Sequence, residues 1–143
     1  MWSSKPWKTQ YWIREIMNRM YRNNIDGLCG NDDCGQMSAW YVLSAMGFYP
    51  VCPGTDQYVI GAPYLPYMKL TLENGKELVI KADKVSDKNR YVKSVKLNGK
   101  PYHKAFIGQQ DIMNGGELTF EMSSQPNKQR IFKGENRPYS LSE

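Results

Sequence analysis

The stretch Met68-Lys69-Leu70-Thr71-Leu72-Glu73-Asn74-Gly75-Lys76-Glu77-Leu78-Val79-Ile80-Lys81-Ala82 decides how the chain is read. Met68, Leu70 and Leu72 alternate with polar residues, and Leu78, Ile80 and Ala82 do so again beyond Asn74-Gly75. A period of two sends alternate side chains to opposite faces of a strand. Asn-Gly between two such runs signals a hairpin, because both residues tolerate positive φ. Working outward, Tyr58-Val59-Ile60 is a short strand broken by Gly61, Pro63 and Pro66. A further strand runs from Tyr91 to Leu97 and turns at Asn98-Gly99 toward Tyr102 and Phe106-Ile107. Asn114-Gly115-Gly116 then precedes alternating Leu118, Phe120 and Met122, and the tail from Ser123 has little periodicity.

Upstream the period is helical. Ile13, Ile16, Met17 and Met20 recur at helix spacing within Trp7 to Arg22, with Arg14, Glu15, Arg19 and Arg22 on the other side. Asn23-Asn24 and Asp26-Gly27 end that helix. A second helix is expected from Asp33, with Asp33 as N-cap and Gln36 at capping-box spacing. It continues through Trp40, Tyr41, Val42, Leu43 and Met46, apolar all round and so expected to be buried, until Gly47 stops it. Two helices followed by a run of antiparallel strands define an α+β chain, or pieces of two domains. The period changes from helical to two after Gly54.

The chain's 143 residues suit one ordinary domain and are few for an enzyme with a substrate cleft. No apolar run approaches the ~20 residues of a membrane-spanning helix. No basic-then-apolar leader follows Met1, since Trp2-Ser3-Ser4-Lys5 comes directly after it. The net charge of +5 lies wholly in residues 69–143. Its lysines stand singly among Glu73, Glu77, Asp83 and Asp87, which is the pattern of solvated strand faces rather than of a nucleic-acid site. Cys29, Cys34 and Cys52, an odd number, make no complete disulfide framework. With His103 alone they lack zinc spacing, and they are expected to be small buried hydrophobes.

The most informative chemistry lies in Asp26-Gly27-Leu28-Cys29-Gly30-Asn31-Asp32-Asp33-Cys34-Gly35-Gln36. Acids beside glycines at a helix start can accept the orphan helix N–H groups, or offer hard oxygens to a divalent cation. The spacing is not that of an EF-hand, since the twelfth position counted from Asn31 is Val42. Paired carboxylates also suit glycoside hydrolysis, one as acid and one as base or nucleophile. Trp40 and Tyr41 could stack on sugar rings or simply pack in a core.

That loop, continued through Met37-Ser38-Ala39-Trp40-Tyr41, resembles glycoside hydrolase family 92. So do Pro6-Trp7-Lys8-Thr9-Gln10, Arg14-Glu15-Ile16-Met17, Gly47-Phe48-Tyr49-Pro50-Val51 and Arg137-Pro138-Tyr139-Ser140. The resemblance covers nearly the whole chain. It implies a calcium-dependent, inverting, exo-acting alpha-mannosidase (alpha-1,2-mannoside hydrolysis), of a kind abundant in gut Bacteroides-type bacteria. The implied enzyme has an N-terminal β-sandwich and a catalytic (α/α)6 barrel, whose last helices would lie at 1–61, with 62–143 as its sandwich-like, β-rich terminal part. Carried over by position, Asp33 would be the general base and a Ca2+ partner, with Asp32 and Asn31 as the other candidates. Its partners would be mannose-containing glycans, and it would be periplasmic, cell-surface or secreted.

The family's general acid is a glutamate well upstream of this loop, and no Glu here stands in a context that could replace it. The resemblance therefore implies the C-terminal piece of a larger enzyme, inactive alone and able to self-associate through helix faces the barrel would cover. The alternative is a non-catalytic carbohydrate-binding β module, with Tyr64, Tyr67 and Tyr102 as ring platforms or as packing groups. A structural fragment without activity is a third reading.

Overall fold

The computed structural model describes residues 5–140; the expectation about a leader concerns Trp2-Ser3-Ser4, outside the described residues. Two helices lead, α1 (Pro6–Met20) and α2 (Gln36–Met46). They are followed by strands β1 (Phe48–Tyr49), β2 (Gln57–Ile60), β3 (Tyr67–Thr71), β4 (Glu77–Asp83), β5 (Tyr91–Leu97), β6 (Lys100–Pro101), β7 (Phe106–Gly108) and β8 (Gly116–Ser123). A single turn of helix, α3 (Gln109–Met113), links β7 to β8. Pro6 opens α1 at a position where a missing N–H costs nothing, and Gly47 closes α2 at φ 94. Among the described residues no helix is long and apolar enough to cross a membrane.

The fold is α+β as the periodicity implies, with the strands in two sheets. One has the order β1-β2-β7, the other β3-β4-β8-β5-β6. Every pairing is antiparallel except β4 with β8, which is parallel. The parallel pair arises because the chain leaves a space beside β4, builds β5, β6, β7 and α3, and returns to fill it with β8. The last strand in sequence is thus central. Its Leu118, Phe120 and Met122 meet Leu78, Ile80 and Ala82 of β4 and Val92 and Val95 of β5 in one core. Phe48, Ile60 and Ile107 of the smaller sheet belong to the same core. Strands on both sides of residue 61 therefore share a sheet, since β2 pairs with β7.

The turns differ in kind. Asn98 and Gly99 take φ 50 and 78, the two positive values of a two-residue hairpin turn. At Asn74-Gly75 only Gly75 is positive, at φ 78, and the Leu72 N–H donates to the Lys76 carbonyl at 2.8 Å, giving a longer loop.

Three expectations are corrected, two about the helices and one about the thiols. Arg14, placed by periodicity on the solvent side of α1, is 3% exposed and forms the buried face with Pro6, Gln10 and Met17. Its Nη2 donates to the Pro63 carbonyl at 2.8 Å and its Nη1 to the Ser86 carbonyl at 3.4 Å. The guanidinium also stacks 4.6 Å from the Tyr64 ring centre. Gln10 Oε1 accepts the Val92 N–H at 3.1 Å, beyond the two residues of β5 that β6 reaches. α1 thus docks on the sheet through polar groups, because loop and strand-edge backbone there needs partners. Second, α2 is not buried all round: Ser44 and Ala45 are, whereas Val42 is 54% exposed. Third, the expected burial of the thiols fails. Cys29 and Cys34 are exposed and Cys52 is half-buried, because the loops that carry them lie on the surface.

Candidate functional site

The acidic loop is held at both ends. Tyr21, just past α1, forms a β-bridge with Leu28, and the Arg22 N–H donates to the Gly27 carbonyl at 2.8 Å. The Gly27 N–H donates to the Asn24 carbonyl at 3.1 Å. A Cβ on Gly27 would overlap the Arg22 carbonyl oxygen, so only glycine closes this loop. Beyond it a 3-10 turn, Asp33–Gly35, leads into α2, with Cys34 in the left-handed region at φ 54. The Tyr21 hydroxyl donates to the Met37 carbonyl at 3.1 Å, tying the start of the loop to its end.

The structure separates the three candidate residues. Gly35, not Asp33, is the N-cap residue of α2, and the side chain that meets the helix's first amides is that of Asp32. Its Oδ1 accepts the Met37 N–H at 2.7 Å and the Ser38 N–H at 3.1 Å, and its Oδ2 accepts the Ser38 hydroxyl at 2.6 Å. The 3-10 turn accounts for the correction, because it moves the first free amides of α2 to Met37 and Ser38, which Asp32 reaches. Hydrogen bonds from Ser38, with the Met37 amide a smaller cause, hold the Asp32 carboxyl below its ordinary range. Asp33 and Asn31 are exposed, and among the described residues neither side chain makes a hydrogen bond. The loop thus uses one carboxylate as structure and leaves the next open to a ligand.

Beside the loop is a cleft of about 540 Å³, lined by Tyr21, Ile25, Leu28, Ser38, Tyr41 and Val42 among others. Tyr21 packs between Trp40 and Tyr41, with ring centres at 5.7 and 4.8 Å, and Tyr41 leads on to Tyr64 at 6.4 Å. Burial raises the Tyr21 and Tyr41 hydroxyl pKa values, so both rings stay neutral at working pH. Periodicity missed this row. The signal available was Tyr21 at the helix end together with Trp40-Tyr41. Of the proposed ring platforms, Tyr64 lies under Arg14 and donates to Asn18 Oδ1 at 2.9 Å. Tyr102 donates to the Phe106 carbonyl at 3.0 Å, and burial pushes its pKa up to about 12. Only Tyr67 of the three is open to solvent, at 55% exposure.

A calcium ion takes about six to eight oxygen ligands. Among the described residues no group of three or more His, Cys, Asp or Glu side chains could hold a metal. The oxygens of Asp32 are engaged by Met37 and Ser38, so Asp26, Asn31 and Asp33 are the loop's remaining oxygen-bearing acid or amide side chains. These residues do not fit a complete Ca2+ site.

A helix-capped acidic loop thus lies beside an aromatic cleft on this α+β frame. Residues 1–124 match the glycosyl hydrolase family 92 catalytic domain, and the chain belongs to that family. Among solved structures it is similar to a family GH92 alpha-mannosidase from Bacteroides thetaiotaomicron in complex with mannoimidazole. The identity is 47%, the TM-score 0.90, and the match covers 96% of this chain and 18% of that one. It is also similar to a GH92 inverting mannosidase from Bacteroides thetaiotaomicron, at 42% identity and TM-score 0.89 over 98% of this chain and 19% of that one. A secreted glycosidase from Arthroderma benhamiae is 30% identical over 108 residues, 73% of this chain and 14% of that protein. The chain thus spans about a fifth or less of the length of these relatives.

Proposed function

We propose that the chain is part of a larger secreted, periplasmic or cell-surface alpha-mannosidase that cleaves alpha-1,2-mannosides with inversion. Residues 1–61 would complete a catalytic barrel, and residues 62–143 the β part that buttresses it. The observation that carries this reading is the exposed Asp33 carboxylate on a loop whose neighbour, Asp32, is committed to holding the backbone. A general base needs an ionisable oxygen free to take a proton from water, at a fixed place. Asp33 meets that need and Asp32 does not. Asn31, beside it, can orient the water or a sugar hydroxyl through its amide but cannot take a proton. Calcium dependence of the whole enzyme would require oxygens from outside residues 5–140.

Inversion needs a general acid about 6.5–9.5 Å from the base, across the sugar. On this reading that acid comes from the rest of the parent enzyme, and the chain alone is inactive. The purified chain is expected to release no mannose from alpha-1,2-mannobiose with Ca2+ present. In the whole enzyme Asp33→Asn is expected to lower kcat by roughly a hundredfold or more, the usual worth of a general base. Turnover by the chain alone, or an Asp33→Asn enzyme of undiminished kcat, would contradict the assignment.

A further inference from the structure

Far from the acidic loop in sequence, a second cavity of about 400 Å³ opens between β5, the β6 end and the segment 127–136. Lys93, Tyr102, His103, Gln129, Arg130 and Asn136 are among its lining residues, and no carboxylate is. Arg130 Nη2 is sealed from water and has no hydrogen-bond partner. Burial lowers the Arg130 pKa to about 10. The guanidinium carbon lies 5.2 Å from the centre of the Phe132 ring. The side chains of Gln129, Asn136 and His103 make no hydrogen bond among the described residues. Lys93 is engaged elsewhere, its Nζ 2.7 Å from Glu121 Oε1.

Buried charged donors in folded proteins almost always have an acceptor, because an unmet one forfeits its hydration without return. Here the wall offers several free donors and no anion. We propose that this cavity binds an oxyanion, the carboxylate or phosphate of a molecule the size of a sugar acid or sugar phosphate, with Arg130 as its main anchor. Arg130 lines the cavity while its Nη2 is sealed in the wall, so binding would require the guanidinium to turn Nη2 toward the occupant. The amides of Gln129 and Asn136 then supply neutral donors. The volume fits such a molecule, since small-ligand pockets begin near 300 Å³.

The test uses the purified 143-residue chain, titrated with inorganic phosphate and with glucuronate at constant ionic strength, with glucose as neutral control. The readouts are the Arg130 Nε–H resonance and the melting midpoint. The expected result is a saturable shift of that resonance and a rising midpoint with at least one anion and none with glucose. Phosphate alone acting would mark a phosphate site, and glucuronate alone a carboxylate site. Arg130→Gln is expected to weaken binding by at least roughly tenfold, since a charge-assisted hydrogen bond is lost. No saturable shift with either anion, or equal binding by Arg130→Gln, overturns the proposal. Should Arg130→Gln fail to fold, the wild-type resonance alone decides.

Discussion

Removing the Asp32 carboxylate strands the Met37 and Ser38 amides at the start of α2. Asp32→Ala is therefore expected to lower the melting midpoint by several degrees, whereas Asp33→Ala, with no bond to lose, leaves it within error. Equal midpoints for the two variants would show that the cap does not matter. The pH dependence has a definite sign. Asp32 is held below its ordinary pKa by Ser38, and Glu15 likewise, chiefly by Arg90 at 2.6 Å and then Arg19 at 2.6 Å. A carboxyl lowered by folding stabilises the native state above its unfolded pKa, near 4, and that stability is lost as pH falls through the folded value. Thermal melts from pH 6 to 2 are expected to show this loss, and it should be shallower in Asp32→Asn. Arg14 is the other decisive side chain. Arg14→Met leaves the Pro63 carbonyl without its donor and is expected to cost about 1–3 kcal/mol in chemical denaturation. Lysine should not rescue it, because one ammonium cannot reproduce the fork that reaches both Pro63 and Ser86 while stacking on Tyr64.

Among the elements, β8 bears most on stability, lying between β4 and β5 with Leu118 and Phe120 wholly buried. Phe120→Ala is expected to cost about 3–5 kcal/mol, a large part of the 5–15 kcal/mol a domain usually has. Loss of the cooperative urea transition would be the readout. At the start of β8, Gly116 sits at φ 110, where a Cβ would overlap Asn98 Oδ1. That oxygen accepts the Glu117 N–H at 2.8 Å, so the hairpin turn after β5 and the start of β8 lock together through a glycine. The alternation in Leu78, Ile80 and Ala82 and in Leu118, Phe120 and Met122 made both strands legible from the sequence, because period two is a local property. Their parallel pairing was not legible, since neither strand's own pattern says which neighbour lies beside it. The inward turn of Arg14 was hidden for a related reason. Hydrophobic periodicity assigns charge to water and cannot see two carbonyls and a tyrosine ring waiting across the sheet. At the acidic loop the residue types named the chemistry. Which aspartate serves the helix depended on a 3-10 turn, and nothing in Asp32-Asp33 announces it.

For the molecule as a whole, charge and apolar exposure are segregated. The net +5 belongs to residues 69–143, while Trp12, Met20, Ile25, Val42 and Val51 stand exposed in the helical part. A docking face made of Gln10 and Arg14 binds α1 to its own sheet, which leaves Trp12 and Met20 outside, with Val42 of α2 exposed as well. Exposed apolar area of this kind associates when a matching surface is available, and in a solution of this chain the matching surface is another copy. The charged β part opposes that by like-charge repulsion. Raising the salt concentration screens the repulsion and leaves apolar contact intact, so association is expected to strengthen with salt, the reverse of an ion-paired dimer. Sedimentation velocity over a range of protein concentrations, in low and high sodium chloride, reads this directly. The weight-average sedimentation coefficient should rise with both variables, and Trp12→Lys combined with Val42→Lys should abolish the rise while keeping the melting transition, since both side chains are exposed. A monomer at every concentration and salt would mean that the exposed helix faces do not attract one another.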